Sequence, residues 1–419
     1  MACCFEDRLH YDAPSNGDWG ICRLGMLVPE AVELFVGPSA CGRHGALGSI
    51  HNGYKDRLFF LSLDESDIIE GYAQLIPDAV EEMLANLNKR PRVVMMIFTC
   101  LDDLIGTDHD ALGEELAERF PDILFRSCHM NPITTDTKLP PMISIQNNIY
   151  SFLEMERRRD AGVNTIGNYV PFAKTCELRT LLQAAGLGPL RHISDYRSFD
   201  AYLEMAGSLL NIVPGPMGRQ AAERLRVKTG TPYLFLPVSY SLEEVDAQYR
   251  QICDALQIDR EAADAVLAPA RGMAQRKVEE ALCLFADMPV IVDDSSSAQP
   301  FGLAAALLSY GFRVVRIEAQ MCAPFDEGHR AWVEENHPEI SHSQPQNDTA
   351  VLFDHPMEQA LAVGAQAAYF GKTKHIVDLF GDLEMFGYDG ICRLMDLMMQ
   401  AAAEESDLTK ILDKMGLVV

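Results

Sequence analysis

Residues 287–319 read DMPVIVDDSSSAQPFGLAAALLSYGFRVVRIEA. A short β-branched run is followed by a polar loop, an apolar helical stretch closed by Gly311, and a second β-branched run. That order is one strand, a crossover helix and a second strand, the βαβ unit of a parallel sheet. The same alternation fills the rest of the chain. A single core stops growing at about 250–300 residues, so a chain of 419 residues is expected to divide. The expected fold class is α/β, with three open parallel-sheet, Rossmann-like domains around a central cleft. Ligands are expected at the carboxyl ends of the strands.

The first domain is placed at 1–150. Its strands are read at VELFV, RLFFLSL, RVVMMIFT and DILFRSC, with helical stretches from Ile68 to Leu87 and from Asp108 to Phe120. Leu112, Leu116 and Phe120 fall on one helix face, and Thr107 with Asp110 reads as the helix start. A middle α/β domain, 151–285, follows the proline-rich crossing MNPITTDTKLPPM. Its strands are read at VNTIGNYV, LRHISDY, LLNIVP and PYLFLPV, and AKTCELRTLLQAAG is a helix capped at Gly186. The C-terminal domain, 286–419, is expected to continue with strands at TAVLF and AAYFG and to end in a closing helix.

The net charge of −26 argues against non-specific nucleic-acid binding and allows a partner with a basic face. The N-terminal MACCFEDRLHYD has charges where an export signal needs an apolar run. Apolar stretches such as FGLAAALLSYGF fall short of the roughly 20 residues that span a bilayer. A cytoplasmic location without membrane contact is therefore expected. In that compartment eleven cysteines, an odd number, point to metal binding or buried thiols and not to a disulfide framework. No CxxC is present, so a zinc ribbon is not supported.

Two of these cysteines occupy equivalent places. Cys41, in FVGPSACGRHG, follows the apolar run AVELFV, and Cys100 follows VVMMIFT. Each ends a strand and opens a helix, where backbone amides favour an anion such as a thiolate or a thiolate-bound iron–sulfur cluster. Cys22, in GDWGICRLG, lies in a glycine-rich segment that permits close approach to a bulky ligand. Three cysteines leave a cubane one ligand short, so the fourth has to come from elsewhere, for example a second subunit. Buried structural thiols remain the alternative. Cys3 and Cys4 read as tail residues in preference to an extra ligand, Cys128 as another strand-end thiol that a cofactor could reach, and Asp102 and Asp103 as solvated loop carboxylates in preference to groups that support the site from behind. Gly371-Lys372-Thr373 ends like a phosphate-binding loop, but Gln366 stands where that loop needs glycine, so nucleotide binding is not expected.

Three segments in order, GPSAC, FTCLDDLIGTDHDAL and FGYDGICRLMDLM, resemble the nitrogenase component 1 family. That family includes the nitrogenase molybdenum-iron protein subunits, a related cluster-scaffold pair, dark-operative protochlorophyllide reductase and nickel-sirohydrochlorin diamide reductive cyclase. The resemblance implies that Cys22, Cys41 and Cys100 ligate an iron–sulfur cluster, 4Fe–4S or larger and P-cluster-like, at a subunit interface. It implies an identical or sister component 1 subunit, and an ATP-dependent iron–sulfur reductase of the nitrogenase iron-protein type as electron donor. The implied function is an oxidoreductase subunit that passes electrons to a small-molecule substrate other than dinitrogen. The alternative is a scaffold or carrier for metallocluster or tetrapyrrole maturation.

Departures from the family pattern shape these expectations. The Asp-Asp pair is Thr107-Asp108 here, while Gly106 is kept as the turn. A histidine ligand immediately before Gly-Tyr-Asp-Gly is replaced by Phe386. No cysteine occurs in the middle-domain stretch DYRSFDAYLEMAGSLLNIVPG. A molybdenum cofactor is therefore not expected. The pocket beside Phe386 either suits a tetrapyrrole or small organic guest, or Phe386 simply packs the domain interface.

Overall fold

The computed structural model describes residues 11, 13, 20–130, 140–155, 159–352 and 356–414. It contains three sheets, each built from consecutive strands and each wholly parallel. The first holds β1 (Ala31–Gly37), β2 (Leu58–Ser62), β3 (Val93–Phe98) and β4 (Leu124–His129), in the order β2-β1-β3-β4. The second holds β5 (Val163–Thr165), β6 (Leu190–Arg191), β7 (Leu210–Val213) and β8 (Tyr233–Phe235), in the order β6-β5-β7-β8. The third holds β9 (Val290–Asp293), β10 (Val314–Glu318), β11 (Ser341–Ser343), β12 (Leu361–Val363) and β13 (His375–Val377), in the order β11-β10-β9-β12-β13.

In all three sheets the order reverses once, between β1 and β3, β5 and β7, and β9 and β12. At such a switch point the chain leaves neighbouring strands toward opposite faces and opens a crevice at their carboxyl ends. The central strands β1 and β3 are buried along their whole length, as apolar runs flanked on both faces require.

The largest core joins the second and third sheets to two helices, Arg260–Phe285 and Gly387–Ala403. These helices pack along one another and bury Ala274, Val278 and Ala281 with Leu394, Met395 and Met398. The small residues let the helices approach closely. Each large apolar side chain so buried contributes about 1.5–3 kcal/mol.

Several local expectations change. Ile68 to Leu87 is two helices, Glu65–Glu70 and Leu75–Asn86, separated at Gly71, whose φ of 90° no helix accommodates. Asp108, not Thr107, caps the helix His109–Arg119, its side chain accepting the Ala111 amide. TAVLF is not a strand: Asp348–Leu352 forms a 3-10 turn. AAYFG is not a strand either. It belongs to the helix Ala365–Gly371, where alanines favour helix, and the true strands β12 and β13 flank it. Gly371-Lys372-Thr373 therefore follows a helix and precedes a strand, the reverse of a phosphate-binding loop. The Thr373 hydroxyl donates to the Ala360 carbonyl at 2.6 Å. Among the described residues no helix is long and apolar enough to cross a membrane.

Candidate functional site

Val36 and Phe98 are register partners at the carboxyl ends of β1 and β3, the switch point of the first sheet. Pro38 then leads into the helix Ser39–His51, whose third residue is Cys41, and Thr99 leads into Cys100–Ile105, which Cys100 opens. The strand ends are drawn tightly together at Gly37. A Cβ there would lie 2.3 Å from Thr99 Cγ2, so only glycine fits. Cys41 and Cys100 are both half-buried. The Cys41 thiol is pushed up by burial and by the neighbouring charge of Cys100. A thiolate disfavoured in this way is stabilised by a cation bound beside it.

The structure thus brings Cys41 and Cys100 together. The helix Gly20–Gly25, which carries Cys22, packs on the helix that carries Cys41. The Cys22 side chain lies outside the described residues, as do Cys3 and Cys4. Arg23, next in sequence, lies 5.0 Å from the centre of the Tyr169 ring in the middle domain.

Cys128 stands next to last in β4, at a strand end as expected, whereas the reading of Asp102 needs correction. Cys128 is fully buried, accepts a hydrogen bond from Asn148 Nδ2 at 3.2 Å, and has its thiol pushed up to about 12 by burial. It faces the core, and its neighbour His129 faces the other side of the sheet, as strand alternation requires. Asp102 is not a solvated loop carboxylate; it is 3% exposed. Its Oδ2 accepts from His109 Nε2 at 2.5 Å and lies 3.3 Å from His129 Nδ1, while its Oδ1 accepts from the Tyr72 hydroxyl. Burial alone would raise this carboxyl. The hydrogen bonds from His109 and Tyr72, with His129 and Thr107 close beside the carboxylate, outweigh burial and hold it well below the usual carboxylate range. The Asp103 side chain lies outside the described residues.

A second crevice lies where the carboxyl ends of the second and third sheets face each other. It is a cavity of about 520 Å³ reached by the loops after β5, β7, β9, β10 and β13, with Met142 contributed by the first domain. Tyr169, Phe172, Phe325 and Phe380 give it aromatic walls, and Asp294, Asp382 and Asn168 supply polar points. No cysteine or histidine lines it among the described residues. Asp382 is pushed up to about 6 by burial, although it accepts from Tyr240, Ser297 and the Ala298 amide.

The Gly-Tyr-Asp-Gly segment is a capped helix start. Gly387 has φ 63°, and a Cβ there would lie 2.2 Å from Glu177 Oε1. The buried Glu177 carboxylate accepts the amides of Tyr388 at 2.6 Å and Asp389 at 3.1 Å, and the Tyr249 hydroxyl at 2.5 Å. Phe386 is 1% exposed and stacks on Phe172 with ring centres 4.4 Å apart. Phe172 lines the cavity and Phe386 stands one layer behind it. Phe386 thus packs against Phe172 and does not itself line the cavity.

Comparison with known proteins agrees with this architecture. A family model described as nitrogenase component 1 type oxidoreductase matches residues 19–402. The nitrogenase iron-molybdenum cofactor biosynthesis protein NifE of Clostridium pasteurianum is 24% identical over 246 residues. That match spans 55% of this chain and about half, 51%, of the relative. Nitrogenase Cp1 at pH 6.5 superposes with a TM-score of 0.74 at 15% identity, covering 96% of this chain and 95% of that one. Nitrogenase Cp1 at pH 5 gives 0.65 at 14% identity, covering 91% and 87%. At these identities the structures share the fold, and the family match extends over most of the sequence. With parallel sheets, strand-end cysteines and an interdomain cleft all in place, the chain belongs to the nitrogenase component 1 type oxidoreductase family.

Proposed function

We propose that this chain is a cluster-bearing component 1 subunit. In this reading Cys41 and Cys100, with Cys22, hold an iron–sulfur cluster where two component 1 subunits meet. The donor is an ATP-dependent iron–sulfur reductase of the nitrogenase iron-protein type, and the acceptor is a small molecule in the cleft between the second and third sheets. The observation that carries the reading is the pairing of Cys41 and Cys100 at the ends of adjacent strands, at a switch point. The donor set fits: soft sulfur ligands suit iron–sulfur ligation, and the Cys41 thiolate, disfavoured by burial and by Cys100 beside it, gains from a bound cation. When bound, such a cluster supplies one-electron storage and relay.

The rest of the work falls to the protein. Gly37 and Thr99 fix the separation of the two cysteine-bearing helices. Arg23 links the Cys22 helix to Tyr169 on the cavity wall, so cluster region and cleft are mechanically continuous. The aromatic walls favour a flat organic guest such as a tetrapyrrole. No histidine or cysteine stands among the described lining residues to anchor a molybdenum cofactor, so this reading takes a substrate other than dinitrogen.

The likeness to NifE favours a second reading, a scaffold on which a cluster or tetrapyrrole is matured. Mixing the chain with a reductase of this type and following its oxidation separates the two. A reducing enzyme oxidises the reductase only with ATP, repeatedly, and only while Cys41 and Cys100 are intact. A scaffold gives no repeated turnover. Rapid ATP-independent turnover with a simple ferredoxin overturns the proposed electron donor.

A further inference from the structure

Behind Cys100, three metal-binding side chains converge from three separate elements. Asp102 comes from the helix Cys100–Ile105, His109 opens the helix His109–Arg119, and His129 ends β4. Their donor atoms all lie within 4.8 Å of one another. We propose that Asp102, His109 and His129 form a binding site for one divalent transition-metal ion, separate from the cysteine site.

The geometry is close to what an ion needs. Donors about 2.0–2.1 Å from a tetrahedral ion sit about 3.3 Å from each other. His129 Nδ1 already stands 3.3 Å from Asp102 Oδ2. His109 Nε2, at 2.5 Å, has to back away by less than the width of an atom. The two imidazole rings meet edge to face, centres 4.5 Å apart at 86°, which spreads their nitrogens around a common point.

The surroundings hold the donors in place. The Tyr72 hydroxyl donates to Asp102 Oδ1 and fixes the carboxylate plane, leaving Oδ2 to face the imidazoles. Phe98 flanks both rings, 4.6 Å from His109 and 5.8 Å from His129, and forms an apolar wall. Asp102 is 3% exposed, while His109 and His129 keep 20% and 27%, so an ion has a way in and an open position once bound.

A hydrogen-bonded clamp without metal leaves part of this arrangement unexplained. Of the two histidines only His109 makes a hydrogen bond to the carboxylate. His129 Nδ1 stands 3.3 Å from Asp102 Oδ2 without the alignment of a hydrogen bond and is buried with no hydrogen-bond partner, as is His109 Nδ1. Buried polar atoms are seldom left in that state. An ion shared by Oδ2 and the two imidazoles satisfies His129 Nδ1 directly. Two imidazoles and one carboxylate suit zinc or ferrous iron, whereas the thiols of Cys41 and Cys100 form a softer set. Asp102 shares its helix with Cys100, so the ion would brace the segment that positions that thiol.

The test uses the full chain carrying Cys41→Ser and Cys100→Ser, titrated with Zn²⁺ after chelator treatment. One equivalent of zinc is expected to bind. It is lost in His109→Gln and in His129→Gln, substitutions that keep a donor for Asp102 but remove the imidazole. Tyr72→Phe weakens binding about 10-fold. X-ray absorption at the zinc edge on the unsubstituted chain provides a check independent of folding: a zinc population with nitrogen and oxygen neighbours and no sulfur is expected. No zinc bound to the doubly serine-substituted chain, zinc retained by both glutamine variants, or a purely sulfur-ligated zinc spectrum overturns the proposal.

Discussion

Glu177 accepts the backbone amide of Tyr388 at 2.6 Å, so a carboxylate from the helix Glu177–Ala184 caps the helix Gly387–Ala403. The same carboxylate binds the Asp389 amide and the Tyr249 hydroxyl, and Gly387 leaves the space it occupies. The Gly-Tyr-Asp-Gly segment thus joins two domains by hydrogen bonds. Glu177→Ala leaves those donors buried without an acceptor and should cost about 1.5–3 kcal/mol. Gly387→Ala, at φ 63° and with its methyl 2.2 Å from Glu177, should destabilise as well. Denaturant midpoints check both; unchanged midpoints count against the cap.

His329 provides a pH signature. Its Nδ1 donates to Asp326 Oδ1 at 2.9 Å and its Nε2 to Glu244 Oε1 at 2.5 Å, which joins the third-sheet region to the helix Leu242–Leu256. The hydrogen bonds to Asp326 and then Glu244 hold the imidazolium up to about 10. The folded value lies above the unfolded value of about 6.5, so the stabilisation is complete below that pH and is lost as pH rises toward about 10. Melting temperature followed across this window should fall more steeply for the natural chain than for His329→Gln. Parallel profiles would remove the His329 contribution.

Gly37 should control the cysteine pair through its contact with Thr99. Gly37→Ala places a methyl 2.3 Å from Thr99 Cγ2, pushes the ends of β1 and β3 apart and separates Cys41 from Cys100. Iron content should fall. Adding Thr99→Ala removes the clashing methyl and should restore part of it. A Gly37→Ala chain with undiminished iron would show that this spacing does not matter.

Phe386→Ala should cost about 3–5 kcal/mol, the usual range for a buried phenyl group. Phe386→His, the family-like residue, should also destabilise and should gain no metal. Its ring would sit behind Phe172 and not at the cavity surface. Metal analysis and melting curves together check this. Molybdenum in stoichiometric amount, in either the natural or the substituted chain, contradicts it.

Much of the fold is legible in the sequence because its main strands are mostly apolar, β-branched runs. β1, β3, β9 and β10 fall where those runs stand, and Gly186 and Gly311 close helices at φ 68° and 103°. β11, β12 and β13 are three residues each, too short to leave a periodic signal, and the alanine-rich helix between the last two conceals them. Cys41 and Cys100 are visible because each follows its strand directly. The Asp102, His109 and His129 group is not, since its members come from three elements and meet only through the pairing of β3 with β4. Asp102 looks like one of two loop acids until Tyr72 and the histidines close over it. Nor does anything near Glu177 in sequence announce a cap 211 positions away.

The central claim is that Cys22, Cys41 and Cys100 hold an iron–sulfur cluster between subunits. Anaerobic purification with iron and sulfide analysis, absorption spectroscopy and native mass measurement tests it most directly, on the natural chain and on the three single alanine variants. The account predicts a coloured, iron-containing oligomer. It further predicts that Cys41→Ala and Cys100→Ala each lose or alter the cluster and loosen the assembly. Full iron content and an unchanged spectrum in all three variants would contradict it.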